Sequence, residues 1–209
     1  MSALPRLRCP RVAFGEVAAD PLAAPWSQIA PVEFHDNVTA GAPQQATRVR
    51  AAWSADEWRL LFECDDRDPW ATHTDHDARL FEEETVEVFF DPLGDLEAYF
   101  EIEINPLGTI LDIVFRKSRS GYKGDWAWNC EHLRSAVRRT ETGWAAELAI
   151  PFSDVGDAPR MGTVWRANFC RIDRPSRDNS LPRELTAWSP PLRETFHTPE
   201  RFGFIEFVE

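Results

Sequence analysis

The chain reads as an all-β protein, two antiparallel sheets packed as a sandwich of the jelly-roll kind. Three observations predict it. Runs rich in β-branched and aromatic residues recur along the chain, with turn signals about every 8–12 residues. No long stretch carries the 3.6-residue periodicity of an amphipathic helix. The length, 209 residues, suits one such sandwich, because all-β domains of ~200–250 residues commonly fold as one unit.

The elements follow in order. Residues 1–30 are rich in Ala and Pro and form an extended lead-in, with one short strand expected at 11–14. The sandwich body spans 31–209, so residues 1–209 make a single domain. Residues 47–53 alternate, a turn follows at 54–57, and 58–64 (WRLLFEC) is strongly apolar. Residues 85–91 (TVEVFFD) are β-branched and aromatic, which favours strand. Residues 98–105 (AYFEIEIN) alternate cleanly, Pro106-Leu107-Gly108 turns the chain, and 109–115 (TILDIVF) returns as the second arm of a hairpin. Another hairpin joins 133–139 to 144–150 through a turn at 140–143. Pro151 ends it, since proline donates nothing to a ladder. Residues 164–172 (VWRANFCRI) and 203–208 (GFIEFV) complete about nine strands. The segment 65–84 is a long acidic loop, and long loops in compact domains are usually functional.

Composition narrows the partners. The net charge of -12 repels phosphate backbones and anionic lipid, so neither nucleic acid nor a membrane surface is expected as a partner. No run approaches the ~18 apolar residues of a membrane helix. The first fifteen residues hold two prolines and three arginines without an apolar segment, so they are not a secretory signal. The sequence as written is expected in the cytoplasm, or outside the cell if a signal has been removed. Cys9, Cys64, Cys130 and Cys170 have no metal-ligand spacing and are expected as buried free thiols, with a disulfide as the alternative. Nine tryptophans are more than a core of this size calls for, which leaves some for a binding surface.

Period-two alternation exposes an unusual face. In residues 85–91, Val86, Val88 and Phe90 share one side, with Glu87, Phe89 and Asp91 opposite. In residues 98–105, Phe100, Ile102 and Ile104 share one side, with Tyr99, Glu101 and Glu103 opposite. If the two strands pair, Glu87 comes near Glu101 or Glu103, and like charges facing across a ladder destabilise it. Such a cluster calls for water, a cation, or a ligand that brings hydrogen-bond donors. Sugar hydroxyls are donors of that kind. The alternative is an ordinary solvated outer face.

The motif series now resembles a known family. It runs WSADEWRLLFECDDRDP, FEEETVEVFFDP, YFEIEINPLGT, LRSAVRRTETGWAAELAIPF, WRANFCRID and AWSPPLRETFHTPERFGFIEF. In that order it is similar to the family 9 carbohydrate-binding modules and their DOMON-like superfamily, over residues 12–208. The resemblance implies a sandwich that binds mono- or oligosaccharide without cutting it, often beside a carbohydrate-active enzyme. It implies an aromatic clamp whose two tryptophan positions are held here by Phe81 and Phe196, so both indoles are lost. A phenyl ring still offers a face to sugar C–H groups, with less area and no N–H donor. By the same resemblance Glu87, Glu101, Glu103, Asn168 and Arg171 fall where the family makes polar ligand contacts. Members also hold structural calcium, for which Asp65, Asp66 and Asp68 supply hard oxygen ligands, although no EF-hand spacing supports them. No other cofactor is implied.

Other readings remain open. A glycoside hydrolase needs two carboxylates ~5–10 Å apart, which Glu87 with Glu101 or Glu103 could meet, but the resemblance is to a non-catalytic module. The string THTDHD offers His73, Asp75, His76 and Asp77 to a metal without the HExxH spacing. Haem held between Met and His, as in some relatives, would have only Met1, Met161 and His197 to use. Loss of both clamp indoles speaks for a sandwich kept as a structural or protein-interaction module.

Overall fold

A computed structural model describes residues 3–178 and 180–209. In chain order its strands are β1 (Arg6–Pro10), β2 (Val32–Glu33), β3 (His35–Asp36), β4 (Thr47–Trp53), β5 (Glu57–Asp65), β6 (Thr85–Asp91) and β7 (Ala98–Ile104). They continue with β8 (Ile110–Ser118), β9 (Gly121–Asp125), β10 (Arg134–Arg139), β11 (Gly143–Pro151), β12 (Val164–Asp173), β13 (Glu184–Ala187) and β14 (Gly203–Val208). One helical turn, α1 (Phe152–Val155), follows β11.

These strands make two sheets. The larger runs β1-β14-β12-β6-β7-β8-β9, with β13 bridging β12 to β3, and the smaller runs β10-β11-β5-β4-β2. The chain is a β-sandwich, as its alternation predicts. All ladders are antiparallel except β1 on β14.

The core lies where the alternation placed it. Val86, Val88 and Phe90 of β6 and Ile102 and Ile104 of β7 meet Trp58, Leu60 and Phe62 of β5. Phe90 stacks on Trp165 at 5.9 Å, and Trp58 meets Phe90 edge-on at 5.6 Å. Each such ring removed from water contributes about 1.5–3 kcal/mol, which is why the apolar side of each strand turns inward. All four cysteines are buried and unpaired.

The first strand departs from expectation. It occupies Arg6–Pro10, and Arg11 makes only a single bridge to Trp53. Its sequence, RLRCP, shows no strand signal because only Cys9 needs burial; pairing with the distant β14 decides its conformation. The strands β2, β3, β9 and β13 also lack sequence patterns, and each forms because a neighbour presents an unpaired edge.

The lead-in is packed down. Val12, Phe14, Trp26 and Ile29 cover Ala52, Leu61 and Ala145 on the outer face of the smaller sheet. Glu147 accepts hydrogen bonds from the Ala18 and Ala19 amides and pairs with Arg59, which anchors this segment. The outer face of the larger sheet is covered instead by loops, and these enclose the candidate site.

Candidate functional site

The outward side of β6, β7 and β8 carries Glu87, Phe89, Tyr99, Glu101, Glu103, Ile113 and Phe115. This is not a solvated face. Glu87, Glu101 and Glu103 are all buried. The register puts Glu87 directly opposite Glu103 and Phe89 opposite Glu101. Loops close over them from two directions. The 66–84 loop ends in a short helical turn, Leu80–Glu82, that sets Phe81 beside β6 and β8. The 190–198 loop lays Phe196 on Phe89, with ring centroids 6.1 Å apart.

Between the loops lies a cavity of about 320 Å³. Such a volume sits at the small end of ligand sites, ~300–1,000 Å³. Its floor is Glu87 and Glu101, and its walls include Phe81, Phe115, Phe196 and Trp126. Arg183, Glu194 and His197 stand at its edge. His197 Nδ1 lies 3.0 Å from the Tyr99 hydroxyl and 3.9 Å from Glu101 Oε2.

Electrostatics follow from burial. Desolvation pushes the Glu101 carboxyl up to about 7. Glu87 is raised well above the usual carboxylate range, first by burial and then by the Glu101 charge, with Arg183 opposing. Glu103 rises for the same reason, with Glu87 and Glu101 as its charged neighbours. His197 is lowered by burial, which disfavours its charged form. Glu87 and Glu101 at the floor, with Glu103 behind them, are three carboxyls that resist ionisation so long as no cation lies beside them.

The residues expected at the site divide. Phe81, Phe196, Glu87 and Glu101 line one cavity, and Glu103 lies beside them without reaching it. Asn168 shares the outward side of β12, but its amide is consumed. Nδ2 donates to the Ser189 carbonyl, and Oδ1 accepts from the Ser189 and Phe169 amides. Arg171 points the other way, between the sheets, where it donates to Asp66 at 2.8 Å and Asp173 at 3.0 Å.

The three aspartates do not converge. Asp65 is partly exposed and faces Arg48, Asp66 is buried against Arg171, and Asp68 lies exposed beside Arg177. They do not fit a single calcium ion. Asp66 instead gathers with Glu84 and Asp173. The Arg171 guanidinium already serves two of that group, so a divalent cation there would have to displace a paired arginine. In the THTDHD string, only His76 and Asp77 come together, joined by Asp112 of β8.

Trp126 escaped the sequence reading. It follows β9, a strand without a strand pattern, so nothing placed it near the acidic face. Among the described residues it is the only tryptophan with a largely open surface, 49% exposed, whereas Phe196 is 5% exposed. Its ring lies edge-on to Phe81 at 6.5 Å. A signal was present in the count, since six of nine tryptophans are buried and a binding face must use the remainder.

The model of the carbohydrate family 9 binding domain-like family matches residues 20–209. Similar folds occur in solved structures. One is a protein of Bacteroides uniformis assigned as carbohydrate-binding, with TM-score 0.79 and 19% identity, covering 98% of this chain and 100% of that one. Another is a family 9 carbohydrate-binding module from Caldicellulosiruptor kristjanssonii in complex with cellotriose, with TM-score 0.74 and 13% identity over 98% of this chain and 94% of that one. The same organism's module in complex with glucose gives TM-score 0.73 and 13% identity, over 97% and 95% of the two chains. No curated protein matches the chain. At these identities the structural likeness speaks for the fold, and the family match carries the rest.

Proposed function

The chain belongs to the carbohydrate family 9 binding domain-like family, a family of non-catalytic carbohydrate-binding modules, and on that premise we propose that it holds one pyranose ring of glucose type in the cavity between the 66–84 and 190–198 loops. One observation carries this reading. A cavity of about 320 Å³ joins aromatic walls to a floor of hydrogen-bonding carboxyls. Pyranose rings present apolar C–H faces and a rim of hydroxyl donors, which those two surfaces complement.

The aromatic contact differs from a pair of tryptophans. Phe81 and Phe196 occupy the clamp positions, and Phe196 is largely covered by its neighbours. Trp126 supplies the open indole face, so the ring stacks on Trp126 and Phe81 with Phe196 closing the far side. Glucose-type ligands are the first choice because the Caldicellulosiruptor module is bound to glucose and cellotriose. A place beside a carbohydrate-active enzyme accords with a module that binds and does not cut.

Titrating the protein with glucose, xylose and cellobiose, followed by tryptophan fluorescence, tests the reading. Saturable binding is expected, and Trp126→Ala weakens it about tenfold, the effect of withdrawing one aromatic face. A flat response to all three sugars rejects it. That outcome favours the second reading, a sandwich kept as an interaction module, which the low exposure of Phe196 supports.

A further inference from the structure

We propose that the floor of the cavity is a site for a protonated amine, so that the sugar it takes carries a primary ammonium group in place of one hydroxyl. This inference rests on the sugar-binding reading and names the class of sugar. Glu87, Glu101 and Glu103 each bring a carboxylate oxygen within 4.8 Å of the other two. Glu87 Oε1, Glu101 Oε2 and both oxygens of Glu103 have no hydrogen-bond partner among the described residues. A buried acceptor without a donor is costly, and an unpaired buried charge more so. Without a ligand a proton held between Glu101 and Glu103 relieves part of that cost. A group rich in donors and positive in charge would relieve it for all four atoms and let the carboxyls ionise.

The protein does not supply that group itself. Among the described residues no arginine or lysine lies within 4.0 Å of these three carboxylates. His197 comes nearest, 3.9 Å from Glu101 Oε2, and its burial disfavours the imidazolium. Arg183 acts on Glu87 from the cavity edge.

Two cations are candidates, and coordination favours the ammonium. A calcium ion takes 6–8 oxygens at ~2.3–2.6 Å. Here the neighbouring backbone carbonyls belong to β6, β7 and β12, which are paired on both sides, so a calcium ion would need all three carboxylates bidentate, or added water, to reach six oxygens. An ammonium has three donors to offer and needs no more than three acceptors. Charge-assisted N–H···O bonds of ~2.7–2.9 Å to a tetrahedral nitrogen place their acceptors about 4.5 Å apart, inside the observed spacing. The aromatic walls then hold the ring while the floor selects its substituent.

The test uses the full chain and calorimetry at pH 7 in EDTA, with glucose and its 2-, 3- and 6-amino deoxy analogues. At least one amine is expected to bind about tenfold or more tightly than glucose, the factor separating a charge-assisted from a neutral hydrogen bond. That ratio falls toward one in Glu87→Gln and Glu101→Gln, which keep side-chain shape and whose folding is checked by melting temperature. If glucose binds as well as all three amines, this inference fails and the sugar-binding reading stands. If no sugar binds either in EDTA or with calcium added, both fail. If glucose binding needs calcium and EDTA abolishes it, a metal occupies the floor and the amine site is overturned.

Discussion

Glu101 shows how a single residue links site and stability. Its folded carboxyl titrates at about 7 because burial penalises the anion, against ~4.3 in an unfolded chain. A carboxyl raised in this way binds its proton more tightly when folded. Its contribution is complete below the unfolded value and is lost as pH rises through the folded one. Glu84, pushed up to about 9 by burial beside Asp66, acts with the same sign. The carboxyls that shift downward, Asp36, Glu83 and Asp154 among them, act below the ordinary carboxylate range and are already ionised at pH 5.5. His197, lowered by burial, opposes the trend in this window but is one group against several raised carboxyls. The melting temperature of the ligand-free protein is therefore expected to fall from pH 5.5 to pH 8, by on the order of 5 °C. Glu101→Gln should flatten that slope, and a profile unchanged by the substitution would refute the assignment. The sequence placed Glu87, Glu101 and Glu103 on one face through simple alternation. It could not show that the face is buried, because the loops that cover it are contiguous in space and not in sequence. Asn168 and Arg171 illustrate the same limit. A one-residue difference in register separates the outward side of β12 from the inward one.

At the scale of elements, legibility tracked how much apolar surface each strand has to hide. The strands β6, β7, β11 and β14 bury alternate apolar residues, and their sequences announce them. The strands β1, β9 and β13 each pack only one or two apolar side chains, and pairing with a neighbour does most to fix them. The cost of missing β9 was Trp126, since the hairpin of β8 and β9 is what carries that indole to the cavity. The start of β11 shows a constraint of another sort. A Cβ at Gly143 would lie 2.1 Å from the Cys64 carbonyl oxygen and 2.6 Å from the Asp66 amide nitrogen. Both are backbone atoms, so no side chain can move aside. Gly143→Ala is expected to destabilise by about 2–4 kcal/mol, through forced separation of β11 from β5. Urea denaturation measures it, and a loss below about 0.5 kcal/mol would mean that the strand end yields freely.

For the whole molecule, the question is what holds the sheets in register at the end near the 66–84 loop. The aromatic core binds the sheets through their centre, whereas Arg171 joins them by charge. It rises from β12 of the larger sheet and donates to Thr47 Oγ1 and the Asp65 carbonyl of the smaller one. Its other nitrogen reaches Asp66 and Asp173. Removing one partner from a buried ionic group costs about 3–5 kcal/mol, because the remaining charges stay buried without compensation. Arg171→Leu leaves Asp66, Glu84 and Asp173 together with no cation among them, so its loss of stability should reach that range at pH 8. It should change little between pH 8 and pH 5.5, because Glu84, pushed up to about 9 by burial, holds its proton across that whole range. A sugar contact would behave in the opposite way, with affinity falling and melting temperature unmoved. The expected result is a lower melting temperature with sugar affinity kept in the molecules that remain folded. Its reverse would mean that Arg171 turns outward to the ligand, and that the sheets are held at this end by packing alone.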